Sequence, residues 1–215
     1  MKQFIRHIVL TILILSGINM SYSQINTEQV MRVGQNALYF EDYMLSIQYF
    51  NKVIEAKPYL AKPYFFRAIA KLNLEDYRGA VDDASKAIEL NPFITDAYEV
   101  RGVALQNMGR TKEAIVDYDK ALSQLPDNRN IMFNKALAQE DINQLDSAKI
   151  TLDNIIVSHP GYENAYVGRA KVLLELKDTV SASADLDKAL TLNKNLANAY
   201  LLRAEIALSA RGDYQ

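Results

Sequence analysis

The chain lacks cysteine altogether and carries no strong excess of charge of either sign. Without a thiol among its 215 residues, it can form no disulfide, thiolate metal site, cysteine nucleophile or lipid-modified cysteine. The formal net charge is only −2 at pH 7, whereas nucleic-acid-binding domains usually carry a marked basic excess or patch. We therefore expect no nucleic-acid partner.

The residues and motifs of catalysis are also scarce. Beyond the N-terminal segment the only histidine is His159, directly before Pro160, and a lone histidine makes neither a metal site nor a catalytic triad. The sequence has no glycine-rich phosphate loop, no His-Glu-x-x-His and no Gly-x-Ser-x-Gly. It therefore predicts a protein that is not an enzyme, with no catalytic residues, no cofactor and no metal.

The first 23 residues have the pattern of a bacterial-type signal peptide. Lys2 and Arg6 precede an apolar or small stretch at 8–18, and Ser21 and Ser23 give the small-x-small spacing of a cleavage site. The apolar stretch is shorter than the roughly 20 residues of a membrane-spanning helix. We predict cleavage after Ser23, export to the periplasm or the medium, and no integral membrane span after cleavage; the alternative is an uncleaved N-terminal anchor.

Several residue types recur every 34 residues. Apolar residues within each unit are spaced three and four apart, which predicts two amphipathic helices per unit, and proline stops the second one. The recurring residues are prolines (Pro58, Pro92, Pro126, Pro160), tyrosines (Tyr64, Tyr98, Tyr166, Tyr200) and two sets of small residues (Gly34, Ala68, Gly102, Ala136, Ala170, Ala204; Ser46, Ala80, Ala114, Ala148, Ala182).

This 34-residue unit resembles the tetratricopeptide repeat, or TPR. The residues of the third unit that carry the resemblance are Tyr98, Gly102, Ala114, Tyr118, Ala121 and Pro126. The resemblance implies an all-α fold, a TPR-type α-solenoid that winds antiparallel helix pairs into a right-handed superhelix of about five and a half repeats. We assign residues 24–215 to the solenoid, with repeats at 27–60, 61–94, 95–128, 129–162 and 163–196 and a partial repeat at 197–215.

Arginine and aspartate recur together, 16 residues apart. Units that lack the arginine also lack the aspartate, since Lys135 is followed by Thr151 and Val33 by Tyr49. We predict a structural ion pair between the two helices of a unit, and the alternative is a ladder of arginines that binds anions. The pairs are Arg67 and Asp83, Arg101 and Asp117, and Arg169 and Asp185.

The resemblance also implies a binding surface, because TPR proteins usually bind partners on a concave face lined by the first helix of each repeat. The positions that would contact a partner there are mostly apolar in this chain: Met31, Phe65, Ile69, Val103, Phe133, Leu137, Val167 and Leu201. We predict a groove that binds a partner peptide or helix. The alternative is that these side chains pack on neighbouring helices, or that the N-terminal segment fills the groove.

The sequence thus predicts a non-catalytic protein–protein interaction scaffold or adaptor with a protein or peptide partner. The alternative is the input or targeting region of a larger signalling protein or enzyme with further domains beyond residue 215. The tripeptide Arg211-Gly212-Asp213 resembles an adhesion motif, but residues 211–214 match 40–43 and 74–77 at the end of the first helix in other repeats. We therefore interpret Gly212, Asp213 and Tyr214 as the inter-helix turn. The last repeat lacks a second helix, which would also allow self-association there.

Overall fold

A computed structural model describes the backbone of residues 26–211 and the side chains of residues 26–209. This part of the chain forms eleven α-helices and no strands. The predicted signal peptide and the predicted turn at Gly212–Tyr214 lie outside the described residues. The helices are α1 Thr27–Tyr39, α2 Tyr43–Ala56, α3 Ala61–Asn73, α4 Tyr77–Leu90, α5 Thr95–Asn107, α6 Thr111–Gln124, α7 Arg129–Asp141, α8 Leu145–Ser158, α9 Glu163–Glu175, α10 Thr179–Leu192 and α11 Ala197–Arg211.

The described chain divides into two compact units after Tyr59. The first unit is the helix pair α1 and α2. Both helices begin at a side-chain cap, because Asn26 accepts a hydrogen bond from the Gln29 amide and Asp42 accepts one from the Leu45 amide, each at 3.1 Å. Phe50 and Val53 of α2 are buried in this pair.

The second unit, residues 60–211, contains α3 to α11. Each of these helices packs against the next, and each odd-numbered helix, the first of its repeat, also contacts the next odd-numbered one. Among the described helices of this unit, the even-numbered ones make no contact with one another. The first helices therefore lie side by side along one face and the second helices along the other. We call the former the first-helix face.

The turns between paired helices share one backbone conformation. The residue after the last turn of α3, α5, α7 and α9 has a positive φ: 61° at Glu75, 75° at Gly109, 59° at Asn143 and 66° at Lys177. The next amide bonds back to a carbonyl five residues earlier, as from Asp76 to Lys71 at 2.9 Å and from Arg110 to Leu105 at 2.8 Å. This is a Schellman-type helix end, and only the third repeat supplies the glycine that adopts the conformation without strain.

The recurrent small residue on each first helix is smallest where the residue 16 positions later, on the second helix, is largest. Glycine faces an aromatic ring in two repeats, where a Cβ on Gly34 would lie 2.7 Å from Phe50 Cε1 and one on Gly102 would lie 2.6 Å from Tyr118 Cε1. The other three pairs combine alanine with a smaller buried residue: Ala68 with Ala84, Ala136 with Leu152, and Ala170 with Leu186. At Gly34 and Gly102 the close approach of the two helices therefore depends on the absence of a side chain opposite the ring.

Candidate functional site

The recurring arginines lie between the two helices of their own repeats. Each donates through Nε and Nη2 to both carboxylate oxygens of the aspartate 16 residues later, at 2.6–2.7 Å. The arginine side chains are 18–24% exposed and the aspartates are buried. Such bidentate pairs commit the guanidinium to a carboxylate, which is a structural role. The pairs are Arg67 with Asp83, Arg101 with Asp117, and Arg169 with Asp185.

The basic residues that recur at this repeat position also contact the preceding repeat. These contacts were not predicted from the sequence. The partner lies 16 residues earlier, on the second helix of that repeat. These contacts are Arg101 Nη1 to Ser85 Oγ at 3.1 Å, Lys135 Nζ to Asp119 at 2.6 Å, Arg169 Nη1 to Asp153 at 2.6 Å and Arg203 Nη1 to Asp187 at 3.4 Å. These contacts could have been predicted from the polar residues that recur every 34 positions on the second helices: Ser85, Asp119, Asp153 and Asp187.

Arg169 pairs with two carboxylates, one in its own repeat and one in the preceding repeat. Its hydrogen bonds to Asp185 and Asp153 raise the pKa of its guanidinium, outweighing the opposing effect of burial. Burial works to raise the pKa of Asp153, but hydrogen bonds from Lys149 and Arg169 lower it overall. Both groups therefore remain charged at neutral pH, and Arg169 links α9 to a second helix on either side of it.

The first-helix face carries a pocket of about 520 Å³ between α7, α9 and α11. Four of the predicted groove residues line it: Phe133, Leu137, Val167 and Leu201. Gly168 and Leu202 complete the apolar lining, and Asn164, Lys171 and Asn198 are its polar members. A mainly apolar hollow of this size with a few polar groups has the character of a binding site.

The remaining predicted groove residues lie outside this pocket. Met31 is half-buried on α1, in the first unit. Phe65 and Ile69 are half-buried on α3, with the Phe65 ring 5.1 Å from that of Phe66. Val103 packs against the buried cluster around Tyr118. The structure therefore brings together only the C-terminal part of the predicted groove.

The pocket residues differ in how far their own neighbours cover them. The Phe133 ring packs edge-to-face on Tyr162, with 5.7 Å between ring centroids, and borders the core around Leu152. Leu201 on α11 is 67% exposed. Phe133 thus contributes to packing and to the pocket wall, while Leu201 presents most of its surface to solvent.

Lys171 is the one charged side chain among the residues that line the pocket, and it forms an ion pair with Glu140 of α7. Glu140 is buried, which raises the pKa of its carboxyl group, and Lys171 opposes that shift. The hydrogen bond that Lys171 donates to Glu140 raises the pKa of Lys171, and Glu175 and Asp141 add to the effect. The ion pair therefore joins α7 to α9 beside the pocket.

The described part of the chain carries neither a cluster of metal-binding side chains nor a membrane-spanning helix. Residues 26–211 contain no group of three or more histidine, cysteine, aspartate or glutamate side chains placed to hold a metal ion. No helix in that range has both the length and the apolar character that crossing a bilayer requires.

Comparisons with known proteins agree with this architecture. The model of a tetratricopeptide repeat family matches residues 67–129, and no curated protein sequence gives a significant match. Among solved structures, the chain is similar to YrrB, described as a TPR protein with an unusual peptide-binding site, with a TM-score of 0.70, 16% identity, and coverage of 81% of this chain and 90% of YrrB.

Two further structures are similar over most of both chains. A tetratricopeptide repeat protein from Parabacteroides merdae gives a TM-score of 0.73 at 19% identity, over 93% of this chain and 76% of that one. Pseudomonas aeruginosa PilF gives 0.74 at 16% identity, over 86% and 84%. At such low identity the likeness shows the fold, an all-α, TPR-type solenoid, and the tetratricopeptide repeat family model matches residues 67–129 of it.

Proposed function

We propose that the chain is a non-catalytic interaction scaffold that binds a segment of a partner protein in the pocket between α7, α9 and α11. The observation that carries this proposal is a single hollow lined by side chains of three consecutive first helices, four of them at the positions where TPR proteins usually contact ligands. The similarity to YrrB, described as having a peptide-binding site, supports the proposal.

The pocket offers both kinds of contact that a peptide needs. Leu201 is largely exposed, and covering a leucine side chain contributes about 1.5–3 kcal/mol before ordering costs. Asn164 and Asn198 lie at the pocket, and a carboxamide can both donate and accept hydrogen bonds with a peptide backbone. All these residues lie on helices, so little ordering of the scaffold is needed when the partner binds.

Leu201→Ser tests the use of this pocket. Peptides would be selected from a random displayed library against the full chain, and their affinities measured by fluorescence anisotropy. We expect the substitution to weaken binding about tenfold or more, because Leu201 is the most exposed apolar side chain of the pocket lining and a partner would cover it. Since Leu201 packs little in the free protein, the helical circular dichroism spectrum should not change.

Ile150→Ser is the matched control. Ile150 is a similarly large aliphatic residue, 60% exposed, on the second helix α8 and outside the pocket. Binding should be unchanged in this variant. If no peptide is selected, or if both variants lose affinity equally, the pocket is not the binding site and the proposal is wrong.

We also propose that the chain is exported after cleavage of its N-terminal segment. When the full chain is expressed in bacteria, the N-terminus of the product outside the cytoplasm should be Gln24. Replacing Ser21 and Ser23 together by phenylalanine should block cleavage, because the cleavage site requires small side chains. N-terminal sequencing and the mass of the intact protein measure both outcomes. An unprocessed wild-type chain beginning at Met1 would contradict the cleavage proposal.

A further inference from the structure

We infer that the partner segment is cationic and amphipathic: apolar side chains enter the pocket between α7, α9 and α11, and lysines or arginines lie beside them. This inference rests on the proposed function and specifies the chemistry of the partner. It is carried by the distribution of charge around the pocket and by the way the repeats place their basic residues.

Carboxylates outnumber cations around the pocket. Lys171 is already paired with Glu140, and Glu175 and Asp141 lie close enough to Lys171 to interact with it. On α11, Glu205 borders a second hollow that also includes Leu201. Lys171 is thus surrounded by more negative charge than it can neutralise, and the exposed carboxylates of Glu175 and Glu205 flank the apolar surface.

Three other basic residues of the same helices pair with carboxylates on the second helices instead. Lys135 of α7 pairs with Asp119, Arg169 of α9 with Asp153 and Asp185, and Arg203 of α11 with Asp187. The guanidinium of Arg129, at the start of α7, lies over the ring of Tyr162, 5.0 Å from its centroid. Lys135, Arg169 and Arg203 are therefore engaged with the second helices, while Glu175 and Glu205 are exposed on the first helices.

A cationic partner complements this arrangement. The Glu175 carboxylate lies close enough to that of Glu140 to raise the pKa of Glu140, so the two repel each other when both are charged. An ammonium or guanidinium group from the partner would relieve this repulsion at Glu175 and would be attracted to Glu205. An acidic segment would meet like charge at both places, which opposes binding and slows association.

The test compares versions of one selected peptide that differ only in charge. Its flanking positions would carry lysine, glutamine or glutamate, and binding to the full chain would be measured by fluorescence anisotropy. We expect the lysine version to bind at least about tenfold more tightly than the glutamate version. Raising the salt from about 0.1 M to about 1 M should remove most of that difference, because the screening length falls to about 3 Å.

Two double variants test which carboxylates attract the cationic peptide. Glu175→Gln with Glu205→Gln should weaken binding of the lysine peptide about fivefold and leave the glutamine peptide unchanged. Glu89→Gln with Glu113→Gln is the matched control, because it removes two glutamates from second helices and changes the net charge equally. A similar loss in the control would mean that only net charge matters, which overturns the inference.

The two proposals fail in different ways. If all three peptides bind alike and Leu201→Ser weakens all of them, the pocket binds peptides and the charge inference is wrong. Tightest binding of the glutamate version would likewise overturn it. If no selected peptide depends on Leu201, the proposed function fails and the charge inference fails with it.

Discussion

Arg169→Ala is expected to lower the free energy of unfolding by about 2–4 kcal/mol, somewhat less than the cost of breaking a fully buried ion pair. Arg169 satisfies both oxygens of Asp185 in its own repeat and one oxygen of Asp153 in the preceding repeat. The Asp185 side chain is only 9% exposed, so water cannot fully replace the lost hydrogen bonds. Equilibrium unfolding in urea, followed by circular dichroism, measures the change.

Two comparisons separate this effect from a general loss of charge. Arg110→Ala removes an exposed arginine that pairs with Glu113 and should leave the unfolding curve unchanged. Arg169→Met with Asp185→Leu should recover most of the loss, because Asp153 keeps its 2.9 Å bond from Lys149 and no buried carboxylate is left unpaired. An Arg169→Ala variant as stable as the wild type would show that the column of pairs does not stabilise the solenoid.

The pairing within each repeat could be predicted because the chain contains several copies of the same unit. Lys135 and Thr151 differ together from Arg101 and Asp117, so the copies serve as an internal comparison of two positions. The contact to the preceding repeat was harder to predict, because the residues that accept it are not all aspartates: the first of them is Ser85. The spacing of 16 residues from arginine to aspartate predicts pairing within one repeat only, whereas Asp119 contacts Lys135 of the next repeat.

The pocket could be predicted only in part. Repeat phase places Phe133 and Leu201 at equivalent positions, but it does not say what covers them. Phe133 packs on Tyr162, which precedes the next first helix, whereas Leu201 remains largely exposed. Burial depends on these neighbours, and their side chains vary between repeats. The proposed cationic partner likewise could not be inferred from the sequence, because the inference depends on which way the basic residues point.

The inter-helix turns show a similar limit. Glycine is the residue type that favours a positive φ, and Gly109 fits that preference, yet Glu75, Asn143 and Lys177 adopt the same left-handed conformation. Their neighbours' hydrogen bonds to the end of the first helix stabilise it against the steric preference of a non-glycine residue. The hydrogen bonds at the helix end therefore outweigh the preference of a non-glycine residue for a negative φ. For this reason residue type alone could not predict the conformation of these turns.

Gly102→Ala is expected to destabilise the third repeat by about 1–3 kcal/mol, the range typical of overpacking a core. The new Cβ would lie 2.6 Å from Cε1 of Tyr118, a fully buried ring whose hydroxyl donates to Gln106 at 3.1 Å. Alanine has the better helix propensity, by about 1 kcal/mol, so the steric cost must exceed this gain. Gly161→Ala is the control, because a Cβ there meets nothing within 4 Å.

Tyr118→Leu should compensate for Gly102→Ala. Tyr118→Leu alone should also destabilise, since it leaves a cavity and removes the hydroxyl hydrogen bond. The double variant recreates the alanine–leucine pair found at Ala136 with Leu152 and at Ala170 with Leu186. A double-mutant cycle of unfolding free energies should therefore give a favourable coupling of about 1–2 kcal/mol. If the two single effects add without coupling, or if Gly102→Ala stabilises the protein, the helix spacing is not set by this pair of volumes.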